Sequence, residues 1–227
     1  MKKIAILQSN YIPWKGYFDM INMVDEFILY DNVQFTKNDW RNRNKIKTSN
    51  GVQWLTIPVN HSTDQMIKDI RVSQSNWNQK HWKTIKQNYS KAKYFNQYSD
   101  VFEEHYLNIK TDNLSEINRS FIEKINEIIG IKTKISWVWD YEISGDRVER
   151  LIQLCKVTGA NTYLSGPAAK DYLDESLFKS ADIEVEWMNY AGYQEYPQLY
   201  PPFEHGVTIL DLLFNVGDDA KKYMKSI

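Results

Sequence analysis

The first thirty residues contain two short apolar runs separated by a segment of helix length. The runs are Lys3–Leu7 and residues 26–30, and each has the length of a buried strand. Between them, residues 15–23 carry apolar side chains at a spacing that suits a helix. A strand, a helix and a strand in so short a stretch predict a βαβ unit, in which the two strands run parallel.

A β-hairpin is predicted after this unit. Ser49, Asn50 and Gly51 lie between strand-like runs at 44–48 and 52–59. Asn-Gly between two such runs is a strong signal for a tight turn that joins antiparallel strands. A further strand is expected within the next twenty residues, at 66–72.

The pattern changes to helical spacing over residues 77–130. Within this stretch, Asn113 is followed three residues later by Glu116, which is the arrangement of a helix capping box. Gly130 follows the last apolar residue of that helix and is a typical terminator. We expect residues 77–130 to form an all-helical insertion or a lid.

Strands and helices alternate again after residue 134. Strands are predicted at 135–139, 162–164 and 183–188, and helices at Arg147–Thr158, 165–173, 207–214 and 218–224. The fold class expected for residues 1–227 is therefore a single α/β domain. It has a mainly parallel, Rossmann-like sheet, a β-hairpin and the helical insertion.

Composition narrows the classes of partner. The net charge of −1 offers no overall field that would attract nucleic acid or an anionic membrane. The single cysteine, Cys155, excludes an internal disulfide, and the four histidines have no metal-ligand spacing. No cofactor is expected. The apolar run at the start ends at Leu7, too short for a signal peptide or a membrane span. A cytoplasmic protein follows as the default.

The loop after the first strand holds an unusual set of side chains. In parallel sheets, ligands bind in the crevice outside the carboxyl ends of the strands, and this loop occupies that place. Gln8 and Asn10 could form hydrogen bonds with a sugar or a base, while Tyr11 and Trp14 could stack on it. The alternative is a stiff structural loop with buried aromatic side chains.

The end of the same loop resembles an anion site. Lys15 and Gly16 open the predicted helix, and the free backbone amides of a helix start favour an anion. Gly16 would also let the backbone approach a ligand closely. A plain helix cap is the alternative interpretation.

A second group of candidates follows the second predicted strand. Asp31 ends that strand, at the same sheet edge. The candidate binding residues after it are Gln34, Trp40, Arg41, Asn42 and Arg43. Arg41 and Arg43 could clamp a phosphate beside a stacking wall formed by Trp40. A solvated basic turn is the alternative.

The last candidates lie in the second half of the chain. Ser165 and Gly166 follow a predicted strand and could bind a phosphate or hydroxyl, although capping the next helix is the minimum role for Ser165. Cys155 falls on the apolar face of a helix, so we expect it to be buried and dispensable for chemistry. His205 lies in a loop, where a histidine can serve as a general base.

Five separated motifs together resemble the WbqC-like proteins. They read QSNYIPWKGYFDMI, DNVQFTKNDWRNRNKIK, GVQWLTIPV, GANTYLSGPAAKDYL and ILDLLFNVG, in the family's order and over nearly the whole chain. One departure is that many members have His-Gln-Pro where this chain has Leu7, Gln8 and Ser9. A histidine role at the start of the loop is therefore not carried over.

The resemblance implies a role in bacterial O-antigen, lipopolysaccharide or other surface-polysaccharide biosynthesis. It implies a transferase that moves an aminoacyl or acyl group onto a nucleotide-linked amino sugar. The donor would be a coenzyme A thioester or an acyl-carrier protein. On this hypothesis Gln8 and Asn10 stabilise the oxyanion, and Asp31 or His205 accepts the amine proton.

Two alternatives stay open. A nucleotidyltransferase of the class with two histidines in this loop is disfavoured, because the loop has none. A protein that binds a sugar nucleotide without chemistry is the other alternative.

Overall fold

Nine strands and seven α-helices make up the computed structural model, which describes residues 1–62 and 64–227. The strands are β1 (Lys3–Leu7), β2 (Glu26–Leu29), β3 (Arg43–Thr48), β4 (Gly51–Thr56), β5 (Val59–Asn60), β6 (Arg71–Val72), β7 (Lys134–Trp137), β8 (Thr162–Ser165) and β9 (Glu184–Trp187). The helices are α1 (Lys15–Asn22), α2 (Trp77–Tyr89), α3 (Phe95–Leu107), α4 (Leu114–Ile129), α5 (Arg147–Thr158), α6 (Glu175–Lys179) and α7 (Ile209–Val216).

The central sheet has five strands in the order β7-β2-β1-β8-β9, and every neighbouring pair is parallel. Strand β1 lies in the middle, with Ala5 opposite Phe27 of β2 on one side and opposite Leu164 of β8 on the other. The predicted α/β class with a mainly parallel sheet is confirmed. The chain builds first towards β7 and then towards β9, so the direction of winding reverses between β1 and β8.

The β-hairpin is also confirmed. Strands β3 and β4 pair antiparallel from Arg43↔Thr56 to Thr48↔Gly51. The turn therefore lies over Ser49 and Asn50, and Gly51 has a φ of +96°, which a residue with a side chain rarely adopts.

The strand predicted at 66–72 is wrong for most of its length. Residues Ile67–Asp69 form a 3-10 helix, Arg71–Val72 form a short strand that pairs with β5, and Met66 forms an isolated bridge. Ile67 and Ile70 are both buried, and a three-residue spacing matches the 3-10 repeat rather than the alternation of a strand. Two further predicted helices are likewise 3-10 turns, at Pro167–Asp171 and Gly217–Tyr223.

The middle of the chain is helical, as predicted. Helices α2, α3 and α4 cover most of residues 77–130, and their buried side chains join the cluster that also contains Phe18 of α1. Asn113 caps α4 by accepting a hydrogen bond from the Glu116 amide at 3.0 Å. The Glu116 carboxylate accepts from the Thr111 hydroxyl instead of the Asn113 amide, so only half of the capping box forms. The role of the helical segment 77–130 as a lid stays a prediction.

Across the described residues, no helix combines the length and the apolar character that crossing a bilayer requires.

Candidate functional site

A crevice of about 580 Å³ lies at the carboxyl ends of β1, β2 and β8. Four of the lining residues come from the ends of these strands. Gln8 follows β1, Tyr30 follows β2, Ser165 is the last residue of β8, and Gly166 comes directly after it. This is the place where the winding of the sheet reverses. Loops diverge at such a point and leave a gap, which is why α/β sheets bind ligands there.

Three arginines give the crevice its charge. Arg41 comes from the segment before β3, while Arg147 and Arg150 belong to the first turn of α5. No aspartate or glutamate is among the lining residues of the described chain. A guanidinium presents a rigid fork of donors that matches a phosphate or carboxylate. We call this site the arginine crevice.

Arg41 is fixed by two amides from the loop after β1. Its Nη2 donates to the Gln8 Oε1 at 3.2 Å, and its Nη1 donates to the Asn10 Oδ1. A carboxylate oxygen of Asp39 lies 3.7 Å away. Gln8 and Asn10 thus turn their carbonyl oxygens towards Arg41 and orient the cation, and the oxyanion role expected for their NH2 groups stays a prediction.

The other two arginines rest against tyrosines. The Arg147 guanidinium carbon lies 3.5 Å from the ring centre of Tyr172, which is cation–π distance. The Arg150 Nε donates to the Gly145 carbonyl at 2.7 Å. Burial raises the pKa of Tyr30, although the positive charge of Arg150 opposes this, so its hydroxyl keeps its proton at neutral pH.

Strand β8 supplies the far wall. The Ser165 hydroxyl donates to the Tyr163 hydroxyl at 3.3 Å, and burial raises the pKa of Tyr163. Ser165 does not cap the following turn, because that turn has no side-chain cap and starts after Gly166. A Cβ on Gly166 would meet no atom within 4 Å, so open space lies beside this glycine.

A buried network ties the crevice to the helical segment. Asp31 is fully buried and accepts hydrogen bonds from the Ser9 amide at 2.8 Å and the Ser9 hydroxyl at 2.6 Å. Asn118 of α4 donates to the Ser9 Oγ at 3.0 Å and to the Arg41 carbonyl at 2.8 Å. Helix α4 therefore helps to hold both segments that form the crevice wall.

Neither candidate general base lies in the arginine crevice. Burial raises the pKa of Asp31, and both of its oxygens already accept hydrogen bonds from Ser9, which corrects the view of Asp31 as an open base. His205 is exposed and packs edge-on against Phe203, with ring centres 4.6 Å apart. It is absent from the crevice lining within the described chain.

Tyr11 points into the core instead of towards a ligand. It is fully buried, and its hydroxyl contacts His81 Nδ1 at 2.9 Å and the Tyr106 hydroxyl at 2.7 Å. The stacking role predicted for Tyr11 is therefore corrected to a structural one.

Lys15 also points away from the crevice. Its side chain is 3% exposed, and Nζ donates to the Gln194 carbonyl at 3.2 Å. The ammonium lies 4.9 Å and 5.1 Å from the ring centres of Tyr193 and Tyr196. Burial lowers the pKa of Lys15 to about 8. The predicted contact with a ligand phosphate is thus replaced by an internal one.

Trp14 and Gly16 form a packing unit. Trp14 contacts Tyr190 and Tyr193, with ring centres 5.2 Å and 5.5 Å away. A Cβ on Gly16 would lie 2.4 Å from the Trp14 ring. The glycine therefore makes room for the indole, not for a ligand, which corrects both predicted roles.

The predicted clamp of two arginines does not form. Arg43 lies over the Trp54 ring at 4.1 Å, and Trp40 packs against the same tryptophan with ring centres 5.2 Å apart. Asn42 is buried and donates to the Ile57 carbonyl at 2.9 Å. Arg41 and Asn42 lie in a turn and Arg43 begins β3, so the two arginines do not share a strand face, and Arg41 lines the crevice while Arg43 does not.

Gln34 is among the residues that line the crevice, where it was expected to bind substrate. It forms an isolated β-bridge with Met66. The binding role predicted for Gln34 stays a prediction.

Cys155 is fully buried on α5. Burial raises the pKa of its thiol to about 12. The thiolate needed for nucleophilic chemistry is therefore suppressed at neutral pH.

The sequence-based reasoning missed Arg147, Arg150 and Tyr172. A signal for the two arginines was present, because α5 was predicted to start at Arg147. A helix that follows a parallel strand begins at the carboxyl edge of the sheet, so side chains in its first turn are placed at the crevice.

Comparisons with known proteins agree with the earlier resemblance. A family model described as "WbqC-like protein family" matches residues 8–223. A protein of Mycobacterium tuberculosis H37Rv, "Uncharacterized protein Rv1507c", is 47% identical across 99% of this chain and 98% of its own length. No solved structure matches the chain.

Proposed function

The chain belongs to the WbqC-like protein family, and we propose that it is a cytoplasmic transferase of bacterial surface-polysaccharide biosynthesis. The proposed acceptor is a nucleotide-linked amino sugar, and the transferred group is an aminoacyl or acyl group from a thioester. The family resemblance supports the reaction class. The arginine crevice supports a phosphorylated ligand.

The observation that carries the proposal is the unbalanced charge of the crevice. Arg41, Arg147 and Arg150 converge on one cavity whose described lining holds no carboxylate. The whole protein has a net charge of −1, so this is a local feature. A diphosphate carries the charge and oxygen geometry that several arginine forks would bind.

The remaining lining suits the rest of a sugar nucleotide. The Ser165 and Tyr30 hydroxyls and the Gln8 amide border the cavity and can form hydrogen bonds with sugar hydroxyls. The Tyr172 ring is 41% exposed. An exposed ring beside a cation is a suitable surface for a base or sugar ring.

In the proposed reaction, the amine nitrogen of the sugar attacks the thioester carbonyl. A C–N bond forms, the C–S bond breaks, and the thiol leaves as a thiolate. The ammonium proton passes to water, because Asp31 and His205 both lie outside the crevice. Thioesters are already reactive, so orienting the two substrates supplies much of the acceleration.

The test is a calorimetric titration with a panel of nucleotide-linked amino sugars. Replacement of Arg41, Arg147 or Arg150 by alanine should weaken binding by about ten- to a hundredfold, since hydrogen bonds to charged groups contribute about 1.5–3 kcal/mol. Arg43→Ala is the matched control, because that arginine stacks on Trp54. Equal affinity of all four variants and the wild type would refute the proposed site.

A binding protein without chemistry is the second candidate. The placement of both predicted bases outside the crevice favours it. Incubation of the protein with an amino sugar nucleotide and acyl-coenzyme A separates the two candidates. Formation of an amide product supports the transferase, whereas tight binding without product supports the binding protein. In a separate incubation with a nucleoside triphosphate and a sugar 1-phosphate, pyrophosphate release would instead indicate nucleotidyl transfer.

A further inference from the structure

A second cavity, of about 600 Å³, lies at the same edge of the sheet. Asn32, just after β2, forms one side of it, and the segment just after β7 forms the other, through Val138, Trp139, Tyr141, Glu142, Ile143 and Ser144. Strands β2 and β7 are neighbours. The next two residues, Val33 and Gln34, line the arginine crevice. The two cavities therefore adjoin along the loop that follows β2, and we call the second one the side cavity.

An aromatic stack ends at the side cavity. The Arg119 guanidinium lies 5.0 Å from the Trp137 ring centre. Trp137 in turn stacks on Trp139, with ring centres 4.4 Å apart and an angle of 18° between the planes. Trp139 lines the cavity and is 43% exposed. Trp137 covers one face of its ring, and the 43% exposure leaves part of the indole accessible to a ligand.

One carboxylate and one unpartnered amide oxygen line the side cavity, together with the hydroxyl side chains of Tyr141 and Ser144. Glu142 is exposed and is the one charged residue among the described residues that line it. The Asn32 Oδ1 has no hydrogen-bond partner within the described chain. The side cavity thus has the opposite charge to the arginine crevice.

A cavity lined by both an exposed tryptophan ring and a carboxylate provides two groups that favour a protonated amine. The ring quadrupole attracts a cation that lies over the ring face, and the carboxylate adds an ion pair. A neutral hydroxyl in the same position would gain neither interaction. This distinguishes an amine from the hydroxyl that it replaces on a sugar.

We propose that the side cavity binds an ammonium group, with Trp139 and Glu142 as its contacts. The ammonium would belong to an aminoacyl group, or to an amino sugar whose nitrogen gives up that proton to water before it attacks the thioester. This assignment rests on the proposed function, because it identifies the part of a substrate that lies beside the phosphate. A ligand with a phosphate at one end and an amine at the other matches the two adjoining cavities.

The test uses two probes that share no chemistry. Glucosamine at about pH 6, where its amine carries a proton, reports on the side cavity, and glucose is its neutral counterpart. Inorganic pyrophosphate reports on the arginine crevice alone. Ligand-observed NMR titrations give the affinity of each sugar for the wild type and the variants.

Glucosamine should bind the wild type at least about threefold more tightly than glucose. Trp139→Ala and Glu142→Gln should each remove most of this preference. Glu142→Gln changes an exposed side chain and keeps its shape, so it tests the idea even if Trp139→Ala unfolds. Trp54→Ala and Glu184→Gln, which change exposed residues elsewhere, should keep the preference.

The assignment is overturned if glucosamine binds no better than glucose, or if the preference survives both substitutions in the side cavity. The pyrophosphate titration distinguishes this outcome from a failure of the proposed function. Pyrophosphate should bind the wild type and lose affinity in Arg150→Ala, with no change in Glu142→Gln. Failure of that arm would count against the arginine crevice and not against the side cavity.

Discussion

Raising the pH from 7 to 9 should stabilise the wild type relative to Lys15→Met by about 1 kcal/mol. Lys15 is 3% exposed, and burial lowers its pKa to about 8 from the ordinary 10.5. Between these two values the unfolded chain holds a proton that the folded chain has released. Stability therefore rises with pH, because the unfolded state binds more protons.

The magnitude follows from the proton count. Between pH 7 and pH 9 the folded lysine loses about four-fifths of its proton, while the unfolded lysine keeps nearly all of its own. Each pH unit of full difference contributes about 1.4 kcal/mol. Integration over this window gives about 1 kcal/mol, and the contribution continues to grow until the pH exceeds the ordinary lysine pKa of 10.5.

The assay is urea unfolding of the wild type and Lys15→Met at both pH values. Other titrating groups are common to the two proteins and cancel in the difference. Lys83→Met, at an exposed position of α2, should show the pH dependence of the wild type. If Lys15→Met and the wild type change in parallel, the amine of Lys15 is not held at a lowered pKa and the reasoning is refuted.

Three further substitutions test the packing of the loop and the core. Tyr11→Phe should lower the free energy of unfolding by about 1–3 kcal/mol, because His81 loses a buried hydrogen-bond partner. Gly16→Ala should displace the Trp14 indole, which a Cβ would approach to 2.4 Å, and the change is measurable as a shift in tryptophan fluorescence. Cys155→Ser should fold and bind ligand normally but lose about 1–3 kcal/mol, since a hydroxyl enters an apolar site.

Each of these predictions has its own control or contrary outcome. Gly166→Ala, where a Cβ meets no atom within 4 Å, should leave both stability and fluorescence unchanged. An unaltered unfolding midpoint for Tyr11→Phe would show that its hydroxyl contributes nothing to the core. A folded Cys155→Ser protein with activity reduced by orders of magnitude would revive a role for the thiol in catalysis.

The central sheet and the hairpin were predictable because they depend on local spacing. Buried parallel strands are short continuous apolar runs, as in Lys3–Leu7, and need no knowledge of the rest of the chain. The cap at Asn113 was equally local. The structure of segment 66–72 could not be predicted in this way. Two isoleucines three residues apart occur in a short strand as well as in a 3-10 helix, and the sequence alone does not distinguish the two.

The candidate site was harder to predict because side-chain direction depends on tertiary packing. Residues Gln8 to Gly16 were correctly placed at the sheet edge, yet Tyr11 and Lys15 turn inward to partners more than sixty residues away in sequence. The sequence contains no local sign of those partners. Arg147 is the opposite case. It was missed, although its position at the carboxyl edge of the sheet could have been derived from the topology alone.

The reversal of winding between β1 and β8 also affects the order in which the strands of the sheet can pair during protein synthesis. Lys3 pairs with Thr162, so one edge of the first strand has no partner until residue 162 has been synthesised. At elongation rates of about 5–20 residues per second, the wait between the two strands lasts roughly eight to thirty seconds. An unpaired strand edge can recruit strands from other chains. Nascent chains that stall before residue 162 would therefore expose this edge and be prone to aggregation.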